Sequence, residues 1–233
     1  MRLVLEKVGR EYGGVRALDS VSFSVGPGER VGVIGPNGAG KSTLFRAIAG
    51  TERGGHGRVV LDGKNLAGVS ARRRARLGIA RTFQITELFG TLTVEENLRL
   101  AARSHDEVEA ALQRFELRPL RARRVDELAY GQQRLVELAV AFATGAQLLL
   151  LDEPAAGLGA AERVMISEAI RQLPSDVTVL LIEHDMDLVL GLVDRVLCLS
   201  NGQLIADAST ALIRENPAVR EVYLGNHESE IAS

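Results

Sequence analysis

Gly35-Pro36-Asn37-Gly38-Ala39-Gly40-Lys41-Ser42-Thr43 is the stretch whose reading decides the fold. It follows the apolar run Val31-Gly32-Val33-Ile34 and precedes Leu44-Phe45-Arg46-Ala47-Ile48-Ala49, which reads as a helix. Strand, glycine loop and helix in that order are the context that the pattern G-x-x-x-x-G-K-[ST] requires. Glycines let the backbone curl into a concave nest with its N–H groups turned inward. The helix that follows points its positive end at the same spot. A nucleoside triphosphate, which crowds several negative charges into a small volume, suits that cradle. Lys41 would supply a mobile point charge to the outer phosphates, Ser42 a hydroxyl for Mg²⁺, and Thr43 a donor near the inner phosphate. Lys7, Lys41 and Lys64 are the only lysines, and one of them falls in the required slot.

Length and composition bound the rest. The chain has 233 residues, 46% of them hydrophobic, enough for one domain with a full core and an inserted lobe. A net charge of −2 exerts no general pull on nucleic acid, and no nucleic-acid partner is expected. Cys198 is the sole cysteine and lies in the apolar run Val196-Leu197-Cys198-Leu199, so it reads as a core thiol in a reducing compartment. The first residues, Met1-Arg2-Leu3-Val4-Leu5-Glu6-Lys7, lack the apolar core of a signal peptide. The longest greasy stretch, Leu138 to Leu151, is interrupted by polar residues and falls short of the roughly 20 residues that span a bilayer. The expectation is a chain that is soluble by itself and reaches a membrane only through a partner.

Taken in order, residues 2–25 read as β-structure, with Val21, Phe23 and Val25 alternating with serines. Tyr12 stands beside Gly13-Gly14, either as a turn aromatic or as a platform for a flat base. Residues 57–61 read as a strand before the Asp62-Gly63 turn. The basic run Ala71-Arg72-Arg73-Arg74-Ala75-Arg76 reads as a solvated helix face, since no aromatics interleave it. Residues 78–84 form a strand ending at Gln84. Residues 93–102 and 106–116 are helical by pattern, with Thr93 and Asp106 as N-caps and Glu96 and Glu109 three residues on. We therefore place an inserted helical lobe at 85–130, flanked by nucleotide-domain segments 1–84 and 131–233. After it come a helix from Gly131 to about Ala143, the buried strand Leu148–Leu151, a helix over 160–172, and the strand Val177–Ile182. Unalternated apolar runs of this kind suit a parallel sheet covered on both faces. A hairpin about Asn201-Gly202 and a helical tail from about 207 close the chain.

The chemistry gathers where buried strands end. Asp152 can hold the hydration shell of Mg²⁺, and Glu153 can polarise a water for attack on the γ-phosphorus. His184 ends the next strand, at the carboxyl edge where open α/β sheets bind ligands, and fits a γ-phosphate contact. Gln84 also ends a strand and could see either Mg²⁺ or the attacking water.

These stretches together resemble the ATP-binding cassette ATPases over nearly the whole chain. The phosphate loop is Gly35 to Thr43. Arg81-Thr82-Phe83-Gln84 resembles the family's glutamine loop, and Leu128-Ala129-Tyr130-Gly131-Gln132-Gln133 its signature. Leu148 to Pro154 matches the aspartate–glutamate strand, His184 the switch histidine, and Tyr12 the aromatic that stacks on adenine. The nearest likeness is to the ATPase subunits of branched-chain amino-acid importers. It rests on Tyr130, on Asp152-Glu153-Pro154-Ala155-Ala156-Gly157-Leu158, on Ile182-Glu183-His184-Asp185-Met186 and on Val222-Tyr223-Leu224-Gly225.

The resemblance implies a P-loop NTPase core: a RecA-like mixed α/β sheet, an N-terminal antiparallel β-subdomain and an inserted α-helical signature subdomain. It implies ATP and Mg²⁺, with catalytic Glu153, His184, Gln84 and Lys41. Nucleotide contacts would come from Tyr12, Gly35, Pro36, Asn37, Gly38, Ala39, Gly40, Lys41, Ser42, Thr43, Tyr130, Gly131 and Gln132; metal contacts would come from Ser42, Gln84 and Asp152. It further implies a second ATPase subunit that shares two ATP molecules head to tail, integral membrane permeases, an external solute-binding protein, and a place on the cytoplasmic face of the cell membrane.

Two positions depart from the family pattern. Ala129 stands where serine is usual, and Gly159 where an aspartate follows the aspartate–glutamate–proline strand. A missing hydrogen bond to a charged group is worth about 1.5–3 kcal/mol, so pairing with a non-identical subunit and unequal composite sites are expected, a homodimer being the alternative. Competing readings are a lipid or lipopolysaccharide export ATPase, a soluble cassette acting on nucleic acid or ribosomes, and a binding module that does not hydrolyse.

Overall fold

The structure is a computed structural model and describes residues 1–52, 54–82 and 88–222; Gln84 and the residues from Tyr223 onward lie outside these. β1 (Leu3–Tyr12) and β2 (Val15–Val25) form a hairpin, after which β3 (Arg30–Ile34) crosses to a second sheet and leads into α1 (Lys41–Ala49). β4 (His56–Leu61) returns antiparallel to β1, with the short β5 (Lys64–Asn65) beside it, followed by α2 (Ala71–Arg76) and β6 (Ile79–Arg81). Among the described residues three α-helices come next, α3 (Val94–Ala101), α4 (His105–Arg114) and α5 (Tyr130–Ala143), with short 3-10 turns at Arg118–Leu120 and Val125–Glu127 before α5. The chain then alternates through β7 (Leu148–Asp152), α6 (Ala160–Arg171), β8 (Thr178–Ile182), α7 (Met186–Leu190), β9 (Arg195–Ser200), β10 (Gln203–Ser209) and α8 (Thr210–Ile213).

Two sheets result. One is antiparallel, in the order β2-β1-β4-β5. The other runs β10-β9-β3-β8-β7-β6, parallel throughout except for β10 at its edge. The central strands serve two cores because successive side chains point to opposite faces. Leu148 and Leu150 pack with Leu44, Phe45 and Ile48 of α1, while Leu149 and Leu151 pack with residues of α5 and α6. Burial on both sides explains why these strands show no polar alternation in the sequence. With the strands parallel, the carboxyl ends of β3, β6, β7 and β8 share one edge of the sheet, and the loops that follow them meet there.

The helices that follow β6 are pinned by their caps. Thr93 and Glu96 form the reciprocal box expected before α3. For α4 the cap is Ser104 and not Asp106: the Ser104 hydroxyl accepts the Glu107 N–H at 3.2 Å and Glu107 accepts the Ser104 N–H at 3.2 Å. Serine offers the same acceptor two residues earlier, and Asp106 then falls in the first turn, where a negative charge favours the helix end. The buried Asn97 amide donates to Thr93 O at 2.9 Å and Phe89 O at 3.1 Å and accepts the Phe89 N–H at 2.9 Å, which ties the loop before α3 to the helix. α3 and α4 both pack on α5, and their apolar residues continue without a break into the sheet-facing cluster.

Two other expectations are corrected. The basic run of α2 is not wholly solvated, because Arg74 is buried. Its guanidinium donates to Ala47 O and Ile48 O at 2.8 Å, to Leu66 O at 2.8 Å and to Val69 O at 3.0 Å. Carbonyls at the end of α1 have no acceptor role left inside the helix, and the planar fork of arginine reaches several at once. The tail also begins later than 207. β10 continues to Ser209, its Asp207 paired with Arg195 at 2.7 Å, and helix follows only from Thr210.

Arg74→Met keeps the aliphatic stem and leaves these carbonyls unpaired, so urea unfolding should show a loss of about 2–4 kcal/mol; an unchanged midpoint would contradict the buried placement. Cys198 is fully buried in β9, and burial pushes its thiol up to about 11. The native protein should therefore resist iodoacetamide at about pH 8 and react only once unfolded, a contrast read by mass spectrometry.

Candidate nucleotide and hydrolysis site

The phosphate loop is fixed from behind before any ligand is considered. Gly40 caps α1 with φ 102°, and a Cβ there would lie 2.3 Å from Ala17 O of β2. Gly35 has φ 144°, and its Cβ would lie 2.1 Å from Leu199 O of β9. Only glycine lets the loop lie this close to both strands. The Asn201-Gly202 turn completes the support, with the Gly202 N–H donating to Ala39 O at 3.1 Å and its own carbonyl accepting from the Asp19 N–H at 2.8 Å. Asn37 and Gly38 are exposed at the rim, with Pro36 and Gly40 partly buried beside them. Lys41 is buried and its ammonium donates to Gly35 O at 2.6 Å and Pro36 O at 3.0 Å. Burial lowers its pKa, while Glu153 and Asp152 act in the opposite sense. Ser42 and Thr43 follow in the first turn of α1, partly buried.

Register brings the next groups to the same edge. Asp152 pairs with Ile182 across β7 and β8, and Val33 pairs with Ile182 across β3 and β8. Beyond that row, Glu153 Oε1 and His184 Nε2 lie 2.6 Å apart. A carboxylate only accepts, so the imidazole presents Nε2–H to it. Glu153 has φ 50°, a region uncommon for residues other than glycine, and its N–H donates to Ile182 O at 2.9 Å. Strain of this kind concentrates where a side chain must be aimed. Asp152 is buried; its Oδ2 accepts from Arg81 Nη2 at 2.7 Å, while Oδ1 is buried with no hydrogen-bond partner among the described residues. Gln84 lies outside the described residues, but β6, which leads toward it, lies beside β7.

The signature residues open α5. Ala129 caps α5 without a side-chain acceptor, and Gln132 accepts the Ala129 N–H at 3.1 Å. Tyr130 is half exposed; its hydroxyl accepts from Arg134 at 2.7 and 3.1 Å, and its ring lies against Gly157. The Gly131 N–H donates to Glu162 at 3.2 Å. The Gln133 side-chain amide donates to Leu128 O at 3.0 Å, so the contacts of this segment run to its own helix start and to Glu162 of α6. Tyr12 stands at the β1–β2 turn, its hydroxyl donating to Glu52, which also pairs with Arg46 at 3.2 Å near the far end of α1. Burial and the Glu52 contact raise its pKa.

Three supporting residues carry no role in the sequence reading. Glu183 is buried, accepts the Ala155 N–H at 2.8 Å and the His184 N–H at 3.3 Å, and so ties the two segments that bear Glu153 and His184. Burial raises its pKa against those hydrogen bonds. Arg81 neutralises Asp152, and Arg134 forms a buried pair with Glu137 at 2.8 Å beneath Tyr130. The only signal for them was a charged residue inside or next to an apolar run.

Comparison with known proteins places this geometry. The profile of the family described as ABC transporter matches residues 18–156. The chain is 36% identical to the high-affinity branched-chain amino acid transport ATP-binding protein LivG of Escherichia coli (strain K12), covering 92% of this chain and 94% of that protein. It is 38% identical to the corresponding protein BraF of Pseudomonas aeruginosa, over 96% and 98%. Among solved structures, an ATP-binding cassette of an ABC transporter in its ADP conformation superposes with a TM-score of 0.87 at 31% identity, covering 97% of this chain and 99% of that one. A nucleotide-free cassette from an ABC transporter gives 0.85 at 30%, over 96% and 99%. The chain belongs to the ABC transporter family and is one of its ATP-hydrolysing cassettes.

Proposed function

We propose that this chain powers the uptake of branched-chain or other amino acids through separate membrane permeases, as a peripheral subunit on the cytoplasmic side. The observation that carries the ATPase part is the meeting of Lys41, Asp152, Glu153 and His184 at one sheet edge, with Glu153 and His184 paired at 2.6 Å. The solute class is supported by the names of LivG and BraF. Among the described residues no helix is long and apolar enough to cross a membrane, and a membrane path would come from partners.

ATP would lie with its phosphates in the nest of Gly35 to Thr43 and its base toward Tyr12. Lys41 would exchange its loop carbonyls for phosphate oxygens. Glu153 would accept a proton from the attacking water, aimed by its backbone and by His184, and His184 would also reach the γ-phosphate. Mg²⁺ is commonly held by one or two protein groups and phosphate oxygens. Ser42, the partnerless Oδ1 of Asp152 and Gln84 are the residues to hold it, and it would supply charge neutralisation at the phosphates.

The signature helix makes sense in a pair. Residues 129–133 open α5, and the N–H groups of a helix start suit an anion, so they would cap the γ-phosphate held by a second cassette. Ala129 contributes no hydroxyl there and Gly159 no carboxylate. A non-identical partner with unequal composite sites follows from these two residues; a homodimer is the alternative.

Glu153→Gln should lower ATP turnover by the assembled complex at least about a hundredfold, stop uptake of labelled leucine, isoleucine and valine by the host, and leave nucleotide binding in place. Persistent turnover would remove Glu153 from its role, and lost turnover with intact uptake would remove the solute class. Ala129→Ser should raise steady-state ATPase of the same complex; an unchanged rate would end the unequal-site account.

A further inference from the structure

Glu162 stands in the first turn of α6, and its carboxylate serves two backbone donors at once. Oε2 accepts the Gly159 N–H at 3.0 Å, at the start of its own helix. Oε1 accepts the Gly131 N–H at 3.2 Å, in the first turn of α5. The approach is tight: a Cβ on Gly131 would lie 2.6 Å from Oε1 and 2.8 Å from Cδ, so only glycine admits the carboxylate. Glu162 is partly exposed, and among the described residues it has no ion-pair partner. A negative charge thus rests, unneutralised by any side chain, on a donor that the helix itself leaves without an acceptor.

We infer that Glu162 is a gate on the signature helix. It satisfies the Gly131 N–H while two cassettes are apart, and it must leave that N–H before a γ-phosphate held by the opposing cassette can dock there. The inference rests on the composite-site reading above. Two anions cannot share one donor in a confined space, so the carboxylate opposes closure and, once the phosphate bond is broken, favours reopening by returning to Gly131. Glu162 is a positioning residue in this account, since it would touch neither nucleotide nor water in the chemical step. It also couples α5 to the segment that follows Asp152 and Glu153, because its other oxygen holds Gly159.

A gate and a brace differ in sign. If Glu162 only bolts α5 to α6, removing its charge loosens the structure and weakens ATP use. If it is a gate, the same change makes closure easier, a gain that no folding defect produces. The test uses the complex purified through a tag on this chain, comparing Glu162→Gln with the unmodified protein. The expected result is a fall of about tenfold in the ATP concentration for half-maximal turnover; an unchanged or higher value overturns the gate. A second measurement addresses the contact itself. Amide exchange at Gly131 in the nucleotide-free full chain should speed up in Glu162→Ala, and equal exchange overturns the proposal as well. Failure of the composite-site reading has its own signature: the isolated chain would split ATP at the full per-chain rate of the complex regardless of dilution.

Discussion

The parallel register of β3, β8 and β7 is the constraint on which the rest depends. Val33, Ile182 and Asp152 lie in one row across three strands. Each strand therefore delivers its next residues to the same place: the glycine loop from β3, Glu183 and His184 from β8, and Glu153 from β7. A slip of one residue between β7 and β8 would turn Asp152 to the other face of the sheet and break the row. Such slips are prevented by the two-sided burial of the strands. Leu148 to Leu151 and Leu180 to Ile182 have no face that tolerates water. The hydrophobic effect thus sets the alignment of groups that are themselves charged.

Around that row the polar groups are largely satisfied from within the fold. Asp152 is paired with Arg81, Glu183 accepts from two backbone N–H groups, and the last carbonyls of α1 accept from Arg74. Lys41 rests on two carbonyls of its own loop, held less basic by burial. Each of these contacts stabilises the open cradle without a ligand. Asp152 Oδ1 is buried without a hydrogen-bond partner among the described residues, which leaves it open to the cation proposed above. The same economy extends to the signature helix, where Glu162 supplies an internal anion to a donor suited to an external one.

Glycine, Lys41 and the buried strand ends make the candidate site legible in the sequence, because their chemistry needs local spacing only. A nest of N–H groups is a property of consecutive residues, and so is a helix that starts just after it. The cap of α4 is ambiguous in the sequence because Ser104 and Asp106 both precede acidic residues at the right spacing, and only backbone geometry selects Ser104. Arg74 is buried although nothing in a run of arginines marks the one that turns inward.

What the sequence determined by itself was the identity of the loop, the order of strands and helices, and the carboxylates and histidine that end the buried strands. Those follow from composition and period within windows of a few residues. Only the tertiary structure decided that β6, β7, β8, β3 and β9 stand side by side, that Glu183 ties Ala155 to His184, and that Glu162 reaches Gly131. These contacts join residues far apart in the chain, and their partners are chosen by packing and by the need of buried N–H groups for an acceptor, which no local pattern records.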